Sequence, residues 1–136
     1  MADLNDLCRT LVTNVNDALG AAVVDLESGL LLGVAHNVPY FTQSYLDAVG
    51  AAAVDMFRGA TVSTVEKLLA NVRGTDPNMH LIKEVQMSTD KTYHFMAGVP
   101  NKPNCLMVLI TGRKTNLGMG WTSLRKALQD ATPLCP

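Results

Sequence analysis

The stretch TQSYLDAVGAAAVDMFR, residues 42–58, decides how the chain is read. Its composition is helical, with Ala48, Ala51, Ala52 and Ala53 near the middle. On a wheel at about 100° per residue, Ser44, Asp47, Asp55 and Arg58 form one stripe. Tyr45, Leu46, Ala48, Val49, Ala52, Ala53, Val54, Met56 and Phe57 spread over the rest, well beyond half the circumference. A helix lying on one sheet needs an apolar arc of only about 100° or somewhat more. The surplus predicts a second cover, either another element of the chain or a partner. Small residues at Gly50, Ala51, Ala52 and Ala53 would let a second helix approach closely, and a two-fold pairing of this helix with its copy is the economical arrangement.

Working outward, Leu4, Leu7, Cys8, Leu11, Val12 and Val15 repeat at helical spacing after Asp3, a suitable N-cap, so residues 4–16 are expected to be an amphipathic helix. Residues 19–26 and 30–36 are apolar runs joined by Glu27-Ser28-Gly29, which predicts a β-hairpin. Beyond the central helix, Gly59 can end it, and Ser63-Thr64-Val65-Glu66 has the form of a capping box opening a further helical stretch. The sequence leaves open whether 42–73 is one kinked helix or two. Residues 80–88 read as a strand with partial alternation, 92–97 as its return, and 105–111 as a strand covered on both faces. Thr115 or Asn116 can cap a last helix over 117–130, with Leu117, Trp121, Leu124 and Leu128 on one side. The order is helix, two strands, long helix, three strands, helix. That is an α/β (α+β) chain with a mainly antiparallel sheet and helices on both faces, expected to form one domain over 1–136.

The bulk properties exclude several function classes. With 136 residues, 48% hydrophobic and 17% charged, the chain can bury a core. A formal net charge of -1 without a basic run disfavours nucleic-acid binding. No apolar stretch approaches the ~20 residues that span a bilayer, so membrane insertion is not expected. The opening residues MADLND lack the basic and apolar regions of a signal peptide. Cys8, Cys105 and Cys135 are odd in number and far apart, neither a disulfide framework nor a zinc pattern. The expected home is the reducing cytoplasm.

No catalytic, cofactor or metal site is expected. His36, His80 and His94 have no second ligand at metal spacing. Cys8 and Cys105 sit in apolar surroundings and are expected to be packed and unreactive. Gly112-Arg113-Lys114-Thr115 lacks the glycines of a phosphate-binding loop. Gly118-Met119-Gly120 is too short for a dinucleotide fingerprint and follows the last strand, where two glycines more plausibly allow close packing on the sheet. Asp25 with Glu27, and Asp47 with Asp55, are carboxylate pairs without an enclosing pocket, and Arg58 and Arg113 are assigned no role.

The chain resembles the roadblock, or dynein light chain, domain family in its bacterial form. The likeness rests on the hairpin from Leu19 to Gly33, the alanine-rich helix from Leu46, and Thr115 to Gly120 following the strand 105–111, and it spans residues 3–130. It implies a roadblock/profilin-like fold: a five-stranded antiparallel sheet with the central helix on one face and the terminal helices on the other. It further implies a homodimer through the central helix and third strand, here Tyr45, Val49, Ala52, Ala53, Met56 and Phe57 with Ile82, Glu84 and Gln86. By the same resemblance the chain would act as a non-catalytic scaffold or regulator, a platform for a small Ras-like GTPase or a signalling or motility complex. The competing reading is a small-ligand sensor of PAS, GAF or profilin-like type, for which Tyr93, His94 and Met96 are the available pocket residues.

Overall fold

A computed structural model describes residues 2–136. Helix α1 (Leu4–Asn14) starts where Asp3 places it. The Asp3 carboxylate accepts from the Asp6 N–H at 2.9 Å and the Asp6 carboxylate from the Asp3 N–H at 3.0 Å, a reciprocal cap. Strands β1 (Ala18–Asp25) and β2 (Leu31–His36) form the expected hairpin, with Gly29 at φ 77° in its turn. Helix α2 (Gln43–Arg58) is capped by the Thr42 hydroxyl, which accepts from the Tyr45 N–H.

The open question about 42–73 resolves into two helices. Gly59 is extended at φ −61°, ψ 156° between α2 and α3 (Ala60–Arg73). A Cβ there would stand 2.4 Å from the Asp55 carbonyl, so a side chain would not fit this break. The capping box expected at 63–66 is not formed. Helix α3 has already begun at Ala60, and Glu66 lies mid-helix with its carboxylate committed to Leu81 and Ile82.

Strands β3 (Glu84–Ser88), β4 (Thr92–Gly98) and β5 (Cys105–Gly112) complete the sheet, and α4 (Leu117–Ala131) follows its Asn116 cap and runs into a 3-10 turn at Thr132–Leu134. The five strands lie in the order β2-β1-β5-β4-β3, every neighbouring pair antiparallel. Strand β3 is four residues shorter at its start than the run 80–88. His80 to Ile82 turn instead toward Glu66, whose carboxylate accepts from the Leu81 and Ile82 N–H groups and meets the His80 imidazole.

Period-2 alternation divides the core between two faces. Ala21, Val23, Phe95, Met107 and Leu109 pack under α1 and α4, with Cys8, Leu11, Leu124 and Leu128 coming down from the helices. Val24, Met96, Leu106, Val108 and Ile110 point the other way, to Leu46, Ala53 and Phe57 of α2. All of β5 is buried, as a strand covered on both faces requires. Gly120 lets α4 settle directly on the Phe95 ring, where a Cβ would come within 2.7 Å. Gly118 is different; its nearest neighbour is the Asn116 cap.

Candidate functional site

Helix α2 buries one stripe, Leu46, Gly50, Ala53 and Phe57, at spacings of four, three and four residues. Gly50 sits on the hairpin turn, where a Cβ would meet the Gly29 carbonyl oxygen at 2.2 Å. The four small residues of the sequence therefore divide. Gly50 and Ala53 serve close packing within the chain, while Ala51 and Ala52 stay exposed.

The flank of α2 facing β4 and β3 is left partly bare. Tyr45, Ala48, Val49, Ala52 and Met56 line one side of an open cleft of about 240 Å³, and Met87, His94, Met96 and Val108 of the sheet line the other. The Tyr45 ring is fixed by stacking on Phe41, centroids 4.7 Å apart and planes 19° from parallel. His94 is held by Thr92, Nε2 to Oγ1 3.0 Å, and burial pushes its pKa below the ordinary value, which keeps the ring neutral in an otherwise apolar cleft. Beside the cleft, β3 ends the sheet, and no strand among the described residues pairs with its outer edge.

No sequence-family model matches the chain, and no curated protein does. Solved structures do match. A roadblock/LC7 domain from Streptomyces avermitilis superposes with a TM-score of 0.69 at 18% identity, covering 97% of each chain. MglB of Myxococcus xanthus gives 0.71 at 18% identity over 96% of this chain and 93% of that one. The gliding protein MglB of Thermus thermophilus gives 0.71 at 13% identity over 96% and 86%. The chain has the roadblock fold.

Within this roadblock fold, the residues expected at a pairing surface fall into three groups. Tyr45, Val49, Ala52 and Met56 line the cleft. Ala53 and Phe57 do not present a surface, being 1% and 2% exposed against the chain's own sheet. On β3 the side-chain parity is reversed. Glu84 pairs with Ala97 and Gln86 with Phe95, so both point to the α4 face. There the Trp121 indole N–H donates to Gln86 Oε1 at 2.8 Å, and Arg125 grips the Glu84 carboxylate with two 2.8 Å bonds. These bonds hold the Glu84 carboxyl below its usual range. The β3 side chains on the cleft face are Val85 and Met87, and Ile82 packs at the edge of the α2-side core. Counting alternation back from the β4 turn would have found them. The pocket trio also separates, because Tyr93 lies on the α4 side under Arg113 while His94 and Met96 face the cleft.

The remaining polar candidates are occupied by structure. Asp25 accepts from the Glu27 N–H and Ser28 hydroxyl to shape the hairpin turn, and Glu27 accepts from the Asn104 side chain. Asp47 accepts from Gln43 one helical turn back. The segment after β5 ties loops together: Arg113 donates to the Thr89 carbonyl, the Lys114 N–H to Asp17, and the Thr115 hydroxyl to the Asn16 carbonyl. Among the described residues, no three His, Cys, Asp or Glu side chains are grouped to share a metal.

Two associations were invisible in the sequence. The three cysteines, remote along the chain, belong to one buried cluster under α1 and α4. Burial, then Asp3 and the Cys135 thiol, push Cys8 up to about 12, and burial with the neighbouring Cys105 thiol does the same for Cys135. Protonated thiols of this kind are poor nucleophiles. Glu66 is the second. Burial raises its pKa, but N–H donors from Leu81 and Ile82 and the His80 ring outweigh that and hold it below 4.5. It anchors the 74–83 loop to α3.

Proposed function

We propose that the chain is a single-domain, non-catalytic scaffold or regulator that works as a homodimer in the cytoplasm, with the cleft beside α2 and the β3 edge as its seam. The supporting observation is their adjacency. A mainly apolar cleft, with the Tyr45 hydroxyl and the His94 ring as its polar side-chain groups, lies beside a free sheet edge, so a second copy could cover the first and pair with the second. The contact set is Tyr45, Ala48, Val49, Ala52, Met56 and Met87. Glu84 and Gln86 contribute through the β3 backbone rather than through the cleft, and Ile82 lies just before the strand with its N–H committed to Glu66. An MglB has been solved in a tetrameric arrangement at a TM-score of 0.74 and 14% identity, which supports self-association as the direction to test.

The platform reading follows as the finer part of this proposal: the dimer holds a small Ras-like GTPase or a subunit of a signalling or motility complex. Ala52→Glu tests the seam. Ala52 is exposed in the single chain, so the variant should fold with stability changed by less than about 0.5 kcal/mol. Light scattering at micromolar concentration should show a dimer for the parent and a monomer for the variant. A parent that is already monomeric sinks the seam, and a dimeric variant relocates it. Capture from native lysate with and without a GTP analogue tests the platform, and recovery of no GTPase in either condition counts against it.

A further inference from the structure

A larger cleft, about 530 Å³, opens at the C-terminal end of α2, between the 78–83 segment and the β4–β5 loop. Its floor is apolar, made by Phe57, Val99 and Leu106, each nearly or fully buried. Its walls carry three cations, Arg58, Lys83 and Lys102, and no aspartate or glutamate lines it. Among the described residues, the ion pairs are His80 with Glu66 and Arg125 with Glu84, so none of these three cations has a carboxylate partner. The cleft thus carries a local excess of positive charge in a chain whose net charge is -1.

Arg58 is also fixed in place. One guanidinium nitrogen donates to the Phe57 carbonyl at 3.0 Å and another to the Pro103 carbonyl, bridging α2 to the loop. A guanidinium has five N–H donors, so this clasp leaves others unused. Burial lowers the Arg58 pKa, and the charge of the Glu66 carboxylate partly offsets that. Glu66 does not itself reach the cleft, since Leu81, Ile82 and His80 already occupy it. Lys102 is set by a turn in which its N–H bonds the Val99 carbonyl and Asn101 takes the left-handed φ of 63°. Proline at the second position and a left-handed third residue are the marks of a type II turn.

We propose that this cleft binds a small anion with an apolar body, a carboxylate or phosphate joined to an aromatic or aliphatic group. The head group sits among Arg58, Lys83 and Lys102, where charge-assisted bonds replace water. The body covers the Phe57–Leu106 floor. The volume falls within the ~300–1,000 Å³ usual for small-molecule sites. The site is built from one chain, and none of its lining residues lines the cleft beside α2, although Ile82 borders both this site and the β3 side of the seam.

Titration calorimetry with phenyl phosphate and with decanoate tests this, using inorganic phosphate and benzyl alcohol as head-only and body-only controls. At least one amphiphilic anion should bind saturably, ~10-fold or more tighter than either control. Whichever of the two binds tighter identifies the body and head chemistry. The double variant Lys83→Glu/Lys102→Glu should lose ~10-fold or more in affinity with an unchanged melting transition, and Arg58→Gln should weaken binding independently. The Ala52→Glu variant should keep the parent affinity, which separates this site from the dimer seam. Failure of both anions to bind, or retention of affinity within about twofold by the double variant, overturns the site.

Discussion

Strands β5 and β3 belong to one sheet, two places apart, and experience different surroundings. All eight residues of β5 are buried, whereas β3 has four exposed residues of five. Their sequences, CLMVLITG and EVQMS, already differ in that sense. Position explains the rest. Strand β5 is paired on both edges and roofed by helices on both faces, while β3 closes the sheet and α2 stops short of it. The same contrast holds among the helices. Helix α4 buries five residues along its length, but α3 buries only Glu66 and Ala70 and leaves Val65, Leu68 and Val72 in solvent. Stability is therefore concentrated in the β1–β5–β4 centre, and exposed surface in the β3 side.

The largest expected effect breaks the stable half. Phe95 is fully buried, pinned between Gly120 and the edge of Trp121, with ring centroids 5.3 Å apart. Phe95→Ala should cost about 3–5 kcal/mol in urea denaturation, because rigid neighbours cannot close the void. A loss below about 1 kcal/mol would mean that the centre is no better packed than the margin.

Glu66→Ala acts on the boundary between the halves and ranks second. Removing the carboxylate leaves the part-buried N–H groups of Leu81 and Ile82 without their acceptor, at an expected cost of about 1–3 kcal/mol. The folded-state pKa lies below the ordinary 4.5, so the carboxylate stabilises the fold above that pH and loses its effect as pH falls through the folded value. Denaturation midpoints of parent and variant should differ at pH 7 and converge toward low pH. A gap that widens on acidification would show that Glu66 is bound as the acid.

These two sites also show what sequence can disclose. Phe95 lay unremarked in the expected return strand 92–97, whereas the run 105–111 beside it was legible because burial on both faces demands apolar residues whatever the topology. The hairpin, the Asp3 cap and the helix over 42–58 were legible because their signals are local. The parity of β3 was not, since Glu84-Val85-Gln86-Met87 alternates weakly and the run seemed to begin at His80. What shortened it was Glu66, fourteen or more residues away, gathering donors from 80–82. Pairing of Glu84 with Arg125 and of Gln86 with Trp121 likewise depends on which helix covers β3, a tertiary fact. The excess apolar arc of α2 was readable, yet Gly50 and Ala53 could be assigned inward only once the hairpin turn lay beneath them.

The smallest expected effect sharpens the comparison from the exposed side. Val72 lies in the last turn of α3 with 85% of its surface in solvent. Valine and serine differ little in helix propensity, and an exposed side chain has no packing to lose. Val72→Ser should therefore change stability by no more than about 0.5 kcal/mol, measured at concentrations low enough to hold the chain monomeric. The informative comparison is the same measurement where the parent self-associates. If the substitution stays neutral there, α3 is bare in the dimer as well, and the seam is confined to α2 and β3. If a loss emerges only with association, Val72 is covered by the second copy, and the apolar stripe along α3 belongs to the pairing surface too.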